Sequence, residues 1–129
     1  MRSIRSLILL SALITTPVFA EGESAPSISY YEMKPSLVVN LASGGKYMRT
    51  DIQLMTRDDG FKEQLELHGP AIRHALLMLL SEQDGKTIKT PEGKENLRKQ
   101  AMSTVSDVMK ELSGKDSLQG LFFTTFYVQ

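Results

Sequence analysis

The chain has 129 residues, which bounds it to one domain, and fifteen basic residues balance fifteen acidic ones. With neither a basic run nor an acidic tail, it lacks the electrostatic footprint of a nucleic-acid binder. It contains no cysteine, which excludes disulfides, lipid attachment through an N-terminal cysteine and thiolate metal sites, so any fold must rest on a hydrophobic core.

Residues 1–20 read as a secretory signal. Arg2 and Arg5 form a positive n-region, Leu7 to Ile14 an apolar h-region, and Pro17-Val18-Phe19-Ala20 a helix break ending on a small residue. Cleavage is expected after Ala20. The fifteen uncharged residues between Arg5 and Glu21 fall short of the roughly 20 that a transmembrane helix needs, and retention as a short anchor is the alternative. Cleavage removes both arginines and leaves thirteen basic against fifteen acidic residues, an exported and mildly acidic protein.

Residues 21–29, small and polar with Pro26, have the composition of a flexible lead-in, so the domain is expected over 30–129. From Tyr30 two short extended pieces are separated by Pro35, which predicts an edge or a bend, and Leu37, Val38 and Val39 give the second its strand character. Ser43-Gly44-Gly45-Lys46 reads as a hairpin-like turn. Beyond it Met48, Thr50, Ile52 and Leu54 alternate with Tyr47, Arg49, Asp51 and Gln53, predicting an antiparallel strand with one wet face.

A short helix is predicted over Phe61 to Leu67, capped by Asp58 or Asp59 and stopped by His68-Gly69-Pro70. Pro70 suits the first turn of a second helix, Ala71 to Ser81, because it lacks the amide hydrogen that position cannot use. Ile72, Ala75, Leu76, Leu79 and Leu80 share one face of it, while Leu77 falls between Arg73, His74 and Ser81. Two readings of Leu77 stay open: a helix buried on more than one side, or a surface for self-association or a partner formed by Arg73, His74, Leu77 and Ser81.

Gln83 to Lys89 reads as a polar connection, and Thr90 then caps a long helix with Pro91 in its first turn. Leu97, Ala101, Met102, Val105, Val108, Met109 and Leu112 fall within one arc of that helix, and Glu95 and Lys99 are spaced for a surface ion pair. Gly114 and Gly120 bracket a turn. Leu121 to Val128 is rich enough in aromatic and β-branched residues to predict a strand covered on both faces, inside the sheet. The pattern as a whole is α+β: an antiparallel sheet of about four strands packed against two to three helices.

Nothing assembles into a catalytic centre. His68 and His74 are six apart, a spacing that matches no metal-ligand pattern, and Gly44-Gly45-Lys46 leads into a strand, unlike a phosphate-binding loop. Asp58-Asp59 and Glu63 with Glu66 read as a helix start and a solvated face. No nucleophile elbow or Ser-x-x-Lys arrangement occurs. The aromatics lack the flanking positive groove that a nucleic-acid stacking platform needs. No catalytic residue, cofactor or metal is predicted.

Three stretches in order carry a family resemblance. They are Pro70-Ala71-Ile72-Arg73-His74-Ala75-Leu76, then Glu92-Gly93-Lys94 with Leu97-Arg98, and the terminal Phe123-Thr124-Thr125-Phe126-Tyr127-Val128-Gln129. Together with the strand-like Ser36 to Leu41 and Tyr47 to Ile52, they resemble the FliL family of flagellar basal-body-associated proteins over residues 30–129. The resemblance implies a fold like the stomatin/prohibitin (SPFH) domain and a non-enzymatic periplasmic role in motility beside the stator units. It also implies self-association into a ring or collar and contact with stator or basal-body proteins, with membrane attachment only if the N-terminal segment is retained. The family usually has a basic cytoplasmic tail and a full membrane span where this chain has a signal-like segment. The residues alone also fit a soluble periplasmic protein holding an apolar ligand between sheet and helices, or a general envelope scaffold.

Overall fold

The computed structural model describes Pro17 and residues 27–129, so the expected signal at 1–20, Pro17 apart, and residues 21–26 of the expected lead-in lie outside the described residues. The order of elements is β1 (Ser29–Glu32), β2 (Leu37–Asn40), β3 (Tyr47–Thr56), α1 (Asp59–Leu67), α2 (Gly69–Ser81), α3 (Gly85–Ile88), α4 (Pro91–Ser113) and β4 (Leu118–Val128). This is the predicted α+β class, with a four-stranded antiparallel sheet and four helices.

The sheet is built around β3. β1 pairs with its second half (Tyr31 opposite Leu54) and β2 with its first half (Val39 opposite Met48), so the two short strands lie end to end along one edge of β3. The bend between them passes through Lys34 and Pro35, where the sequence placed it. β4 runs antiparallel along the other edge. Met48, Thr50, Ile52, Leu54 and Thr56 of β3 are all buried, as strict alternation requires when one face meets the helices and the other meets solvent.

β4 corrects the expectation that the last strand lies inside the sheet. Among the described residues it pairs only with β3 and forms an edge, and Phe122 and Tyr127 are exposed. The register explains why its aromatic pattern misled. Inward-facing Ile52 stands opposite Phe123 and inward-facing Thr50 opposite Phe126, an odd spacing on β4 that a register shift between Asp51 and Ile52 makes possible. Leu121 faces inward opposite Leu54, and a second shift between Met55 and Thr56 brings Leu118 inward opposite Thr56. Each irregularity flips the phase of alternation, so aromatics reach both faces while only one face is covered.

The helices follow local rules. Asp58 caps α1 by accepting a hydrogen bond from Phe61 N–H at 3.1 Å, and Phe61 and Leu65 are buried beneath it. α2 begins with Pro70 in its first turn and buries Ile72, Leu76 and Leu80. Thr90 caps α4 by accepting from Gly93 N–H at 3.0 Å, and Gly114, left-handed at φ 71°, ends it. Leu97, Ala101, Val105 and Met109 form the buried row of α4, with Met102 and Val108 packed beside it. Leu112, expected on that face, is 46 % exposed.

Two further expectations change. The polar connection at 83–89 contains the short helix α3, whose Ile88 is buried and whose cap is Asp84, accepting from Thr87 N–H at 3.0 Å. Glu95 pairs with Arg98, one turn on, at 2.6 Å, and not with Lys99.

Met33, Leu37, Met48, Ile52, Leu54, Phe61, Leu65, Ile72, Leu76, Leu80, Ile88, Leu97, Ala101, Val105, Met109 and Leu121 make one contiguous core between the sheet and α1, α2 and α4. Its buried hydroxyls are satisfied. Thr50 Oγ1 donates to the Thr125 carbonyl at 2.7 Å beside the first irregularity of β4, and Thr56 Oγ1 donates to the Ser117 carbonyl at 2.8 Å. The first bond partners a carbonyl at the point where the ladder is interrupted.

Candidate docking surfaces

The four residues singled out on α2 do not form one free patch. Arg73 turns back onto the chain: its Nη1 donates to the Pro35 carbonyl at 2.6 Å and its Nη2 to the Ser36 carbonyl at 3.0 Å, fastening α2 to the β1–β2 bend. Leu77 is half-buried and packs against the core, and Ser81 Oγ donates to the Met78 carbonyl at 2.8 Å. His74 is exposed, and so is Met78, which the sequence reading did not single out. His68 serves as the joint between α1 and α2, its backbone N–H bonded to the Gln64 carbonyl at 2.9 Å. Among the described residues no group of three or more histidines and carboxylates could hold a metal ion.

The space between sheet and helices, where an apolar ligand was one expectation, is filled by the core side chains themselves. Where a carboxylate departs from its ordinary acidity, local fastening is the cause. The Thr87 hydroxyl and N–H, then the Ser43 hydroxyl, hold Asp84 below the usual range; the Phe61 N–H does the same for Asp58, and the Arg98 guanidinium for Glu95. Asp51 is lowered chiefly by its bond with Ser36, on the solvent face of the sheet.

Two surfaces are left with unsatisfied character. One is the solvent face of the sheet, where Tyr30, Val38, Phe122 and Tyr127 are exposed and the register sets Val38 and Tyr127 on either side of Arg49. The other is an open groove of about 370 Å³ lined by Ile88, Lys89, Lys94, Phe126, Tyr127 and Val128. The α3–α4 junction forms one wall and the C-terminal half of β4 the other. Lys94 Nζ lies 4.8 Å from the centre of the Phe126 ring, a cation–π contact, and Phe126 itself packs against Phe123 with centroids 5.1 Å apart. Neither Lys89 nor Lys94 takes part in an ion pair among the described residues. No run of basic residues marks this groove in the sequence, because its lysines are five residues apart and meet the aromatics only through the fold.

A close approach underlies that junction. Gly93, in the first turn of α4, sits against the Thr87 carbonyl of α3, and a Cβ there would collide with that oxygen. The glycine of the Glu92-Gly93-Lys94 stretch therefore lets α3 and α4 meet, and their meeting sets the position of Lys94 and Lys89 along β4.

A filled core, locally fastened carboxylates and exposed aromatic and basic surfaces define a small α+β domain whose distinctive features lie on its outside. The family described as flagellar basal body-associated protein FliL matches residues 30–129, and the chain belongs to that family. It is similar to the flagellar protein FliL of Aquifex aeolicus (27 % identical over 101 residues, 77 % of this chain and 60 % of that protein). It is also similar to the flagellar protein FliL of Escherichia coli strain K12 (27 % over 110 residues, 85 % of this chain and 71 % of that one). The chain thus spans about 60 % of the length of the Aquifex relative. No helix among the described residues is long and apolar enough to cross a membrane.

Proposed function

We propose that this chain is an exported, non-enzymatic accessory protein of the flagellar motor, which supports motility from the periplasm by docking on stator or other basal-body components. The observation that carries this reading is the family match over the whole folded domain, residues 30–129. The signal-like composition of residues 1–20 supports export, with the domain released after Ala20. An antiparallel sheet with helices on one face is compatible with the stomatin/prohibitin-like arrangement and with self-association into a ring or collar. On this reading α2 supplies one contact through His74, Leu77, Met78 and Ser81, with Arg73 holding the helix in place for it.

The test is crosslinking in cells that express the native chain, followed by recovery with an antibody and mass spectrometry of the partners and of the chain's own N-terminal peptide. Stator or basal-body proteins, recovered with a chain that begins at Glu21, are the expected result. Recovery of unrelated envelope proteins only would overturn the motor reading, and an intact residue 1–20 segment would overturn its release.

A further inference from the structure

Hydrogen bonding at the end of β4 defines what the groove offers. Gln129 N–H donates to the Tyr47 carbonyl at 3.0 Å and Tyr47 N–H to the Gln129 carbonyl at 3.1 Å, so these two residues form a hydrogen-bonded antiparallel pair. Alternation makes Met48 with Val128, and Thr50 with Phe126, pairs that do not bond each other. The N–H and C=O groups of Val128 and Phe126 therefore point away from β3, toward the open edge. The register shift between Asp51 and Ile52 changes the phase, which turns the Leu121 carbonyl outward as well, and there α4 sends Arg98 Nη1 to within 3.5 Å of it. Arg98 guards the edge at Leu121. No described side chain or backbone group outside the ladder bonds to the N–H or C=O of Phe126 or Val128.

At that unguarded stretch the groove brings together outward main-chain groups, the apolar flanks of Ile88, Phe126 and Val128, and two lysines without acidic partners. Main-chain pairing on a sheet edge takes an extended segment of any sequence, and the flanking side chains decide which one is preferred. The two charged residues that line the groove are both lysines, so the complementary segment is acidic. We propose that the groove between the Phe126–Val128 edge of β4 and the α3–α4 junction docks an extended acidic segment of a partner protein, which adds as a strand and sets its carboxylates on Lys89 and Lys94. The site is separate from the α2 contact and rests on the proposed function only in that the chain works by protein contacts.

The probe is a fluorescein-labelled peptide of alternating glutamate and valine, about eight residues long, enough to cover this stretch of edge. Fluorescence polarisation with the folded chain should show saturable binding that weakens as salt rises. Replacing the glutamates of the peptide by lysine should abolish it. N-methylation of alternate peptide nitrogens, which blocks pairing on one edge without touching the protein, should abolish it as well. The Lys89→Glu, Lys94→Glu double variant should bind the acidic peptide at least about tenfold more weakly while still melting cooperatively as a folded domain. No binding to the native chain, equal binding of the lysine peptide, or indifference to either N-methylation or the double variant would each overturn the proposal. Concentration-dependent dimerisation that blocks the peptide would also overturn it, by assigning the edge to a second copy. Crosslinked recovery of basal-body proteins by the double variant, alongside failure of the peptide to bind, would sink this site while leaving the motor reading intact.

Discussion

Single residues in this chain act mainly as fasteners, and Gly93 is the one whose replacement runs against the usual rule. In an exposed helix interior, glycine to alanine stabilises by about 1 kcal/mol. At Gly93 the added methyl meets the Thr87 carbonyl, part of the backbone of α3, which cannot swing aside as a side chain would. Gly93→Ala is therefore expected to destabilise by about 2 kcal/mol in denaturant unfolding, the usual scale of overpacking. A gain in stability would show that α3 does not sit so close to α4.

Asp84 joins two segments: it accepts from Thr87 N–H and Oγ1 at 3.0 and 2.8 Å and from Ser43 Oγ at 3.0 Å, tying the β2–β3 turn to the start of α3. These bonds, the Thr87 hydroxyl foremost, lower its pKa from the ordinary 3.8. The folded state thus favours the carboxylate. The stability it contributes is fully present above 3.8 and disappears as pH falls through the lower folded-state value. Asp84→Asn should melt below the native chain at neutral pH, and the gap should close in acid below that folded-state value. Because hydrogen bonds and not distant charges produce the shift, added salt should leave the neutral-pH gap nearly unchanged. A gap that persists undiminished in strong acid would contradict this.

At the scale of elements, α4 depends on its two ends. Thr90 accepts from Gly93 N–H and donates its own hydroxyl to the Thr87 carbonyl at 2.7 Å, so one side chain both starts α4 and closes α3. Thr90→Ala should cost about 1 kcal/mol in thermal or denaturant unfolding, the usual worth of a cap. Substantially less would mean that packing alone fixes the helix start. Caps of this kind were readable in the sequence because a Thr-Pro pair ahead of an apolar period specifies them locally. β3 was readable for the same reason, since its alternation from Met48 to Leu54 is unbroken. α3 was not, because a single turn has no period to detect and Ile88 alone marks its buried side. β4 was read as a strand but misplaced in the sheet: two register irregularities break its alternation, and position at an edge is decided by which strands are left to pair, which no local pattern encodes. On α2, the helical wheel set Leu77 beside Arg73 and left two readings of it open, burial on a second side of the helix or a contact surface. The core reaches round to Leu77, and the carbonyls of the β1–β2 bend draw in Arg73.

For the whole molecule, the sequence predicted no catalytic constellation, and the fold adds where exposed surfaces lie among the described residues: the outer side of α2, the solvent face of the sheet and the lysine-lined edge of β4. The groove could not be seen in the sequence, because Lys89 and Lys94 are brought beside Phe126 and Val128 only when α4 packs back along β4. All of these surfaces are open to the role proposed above, in which this FliL-family domain works at the flagellar base by binding other proteins. The most direct measurement is where the native chain resides in flagellated cells, read by immunofluorescence against stained flagellar filaments. The account predicts discrete foci coincident with filament bases, whereas an even signal around the envelope, unchanged in cells that lack flagella, would contradict it.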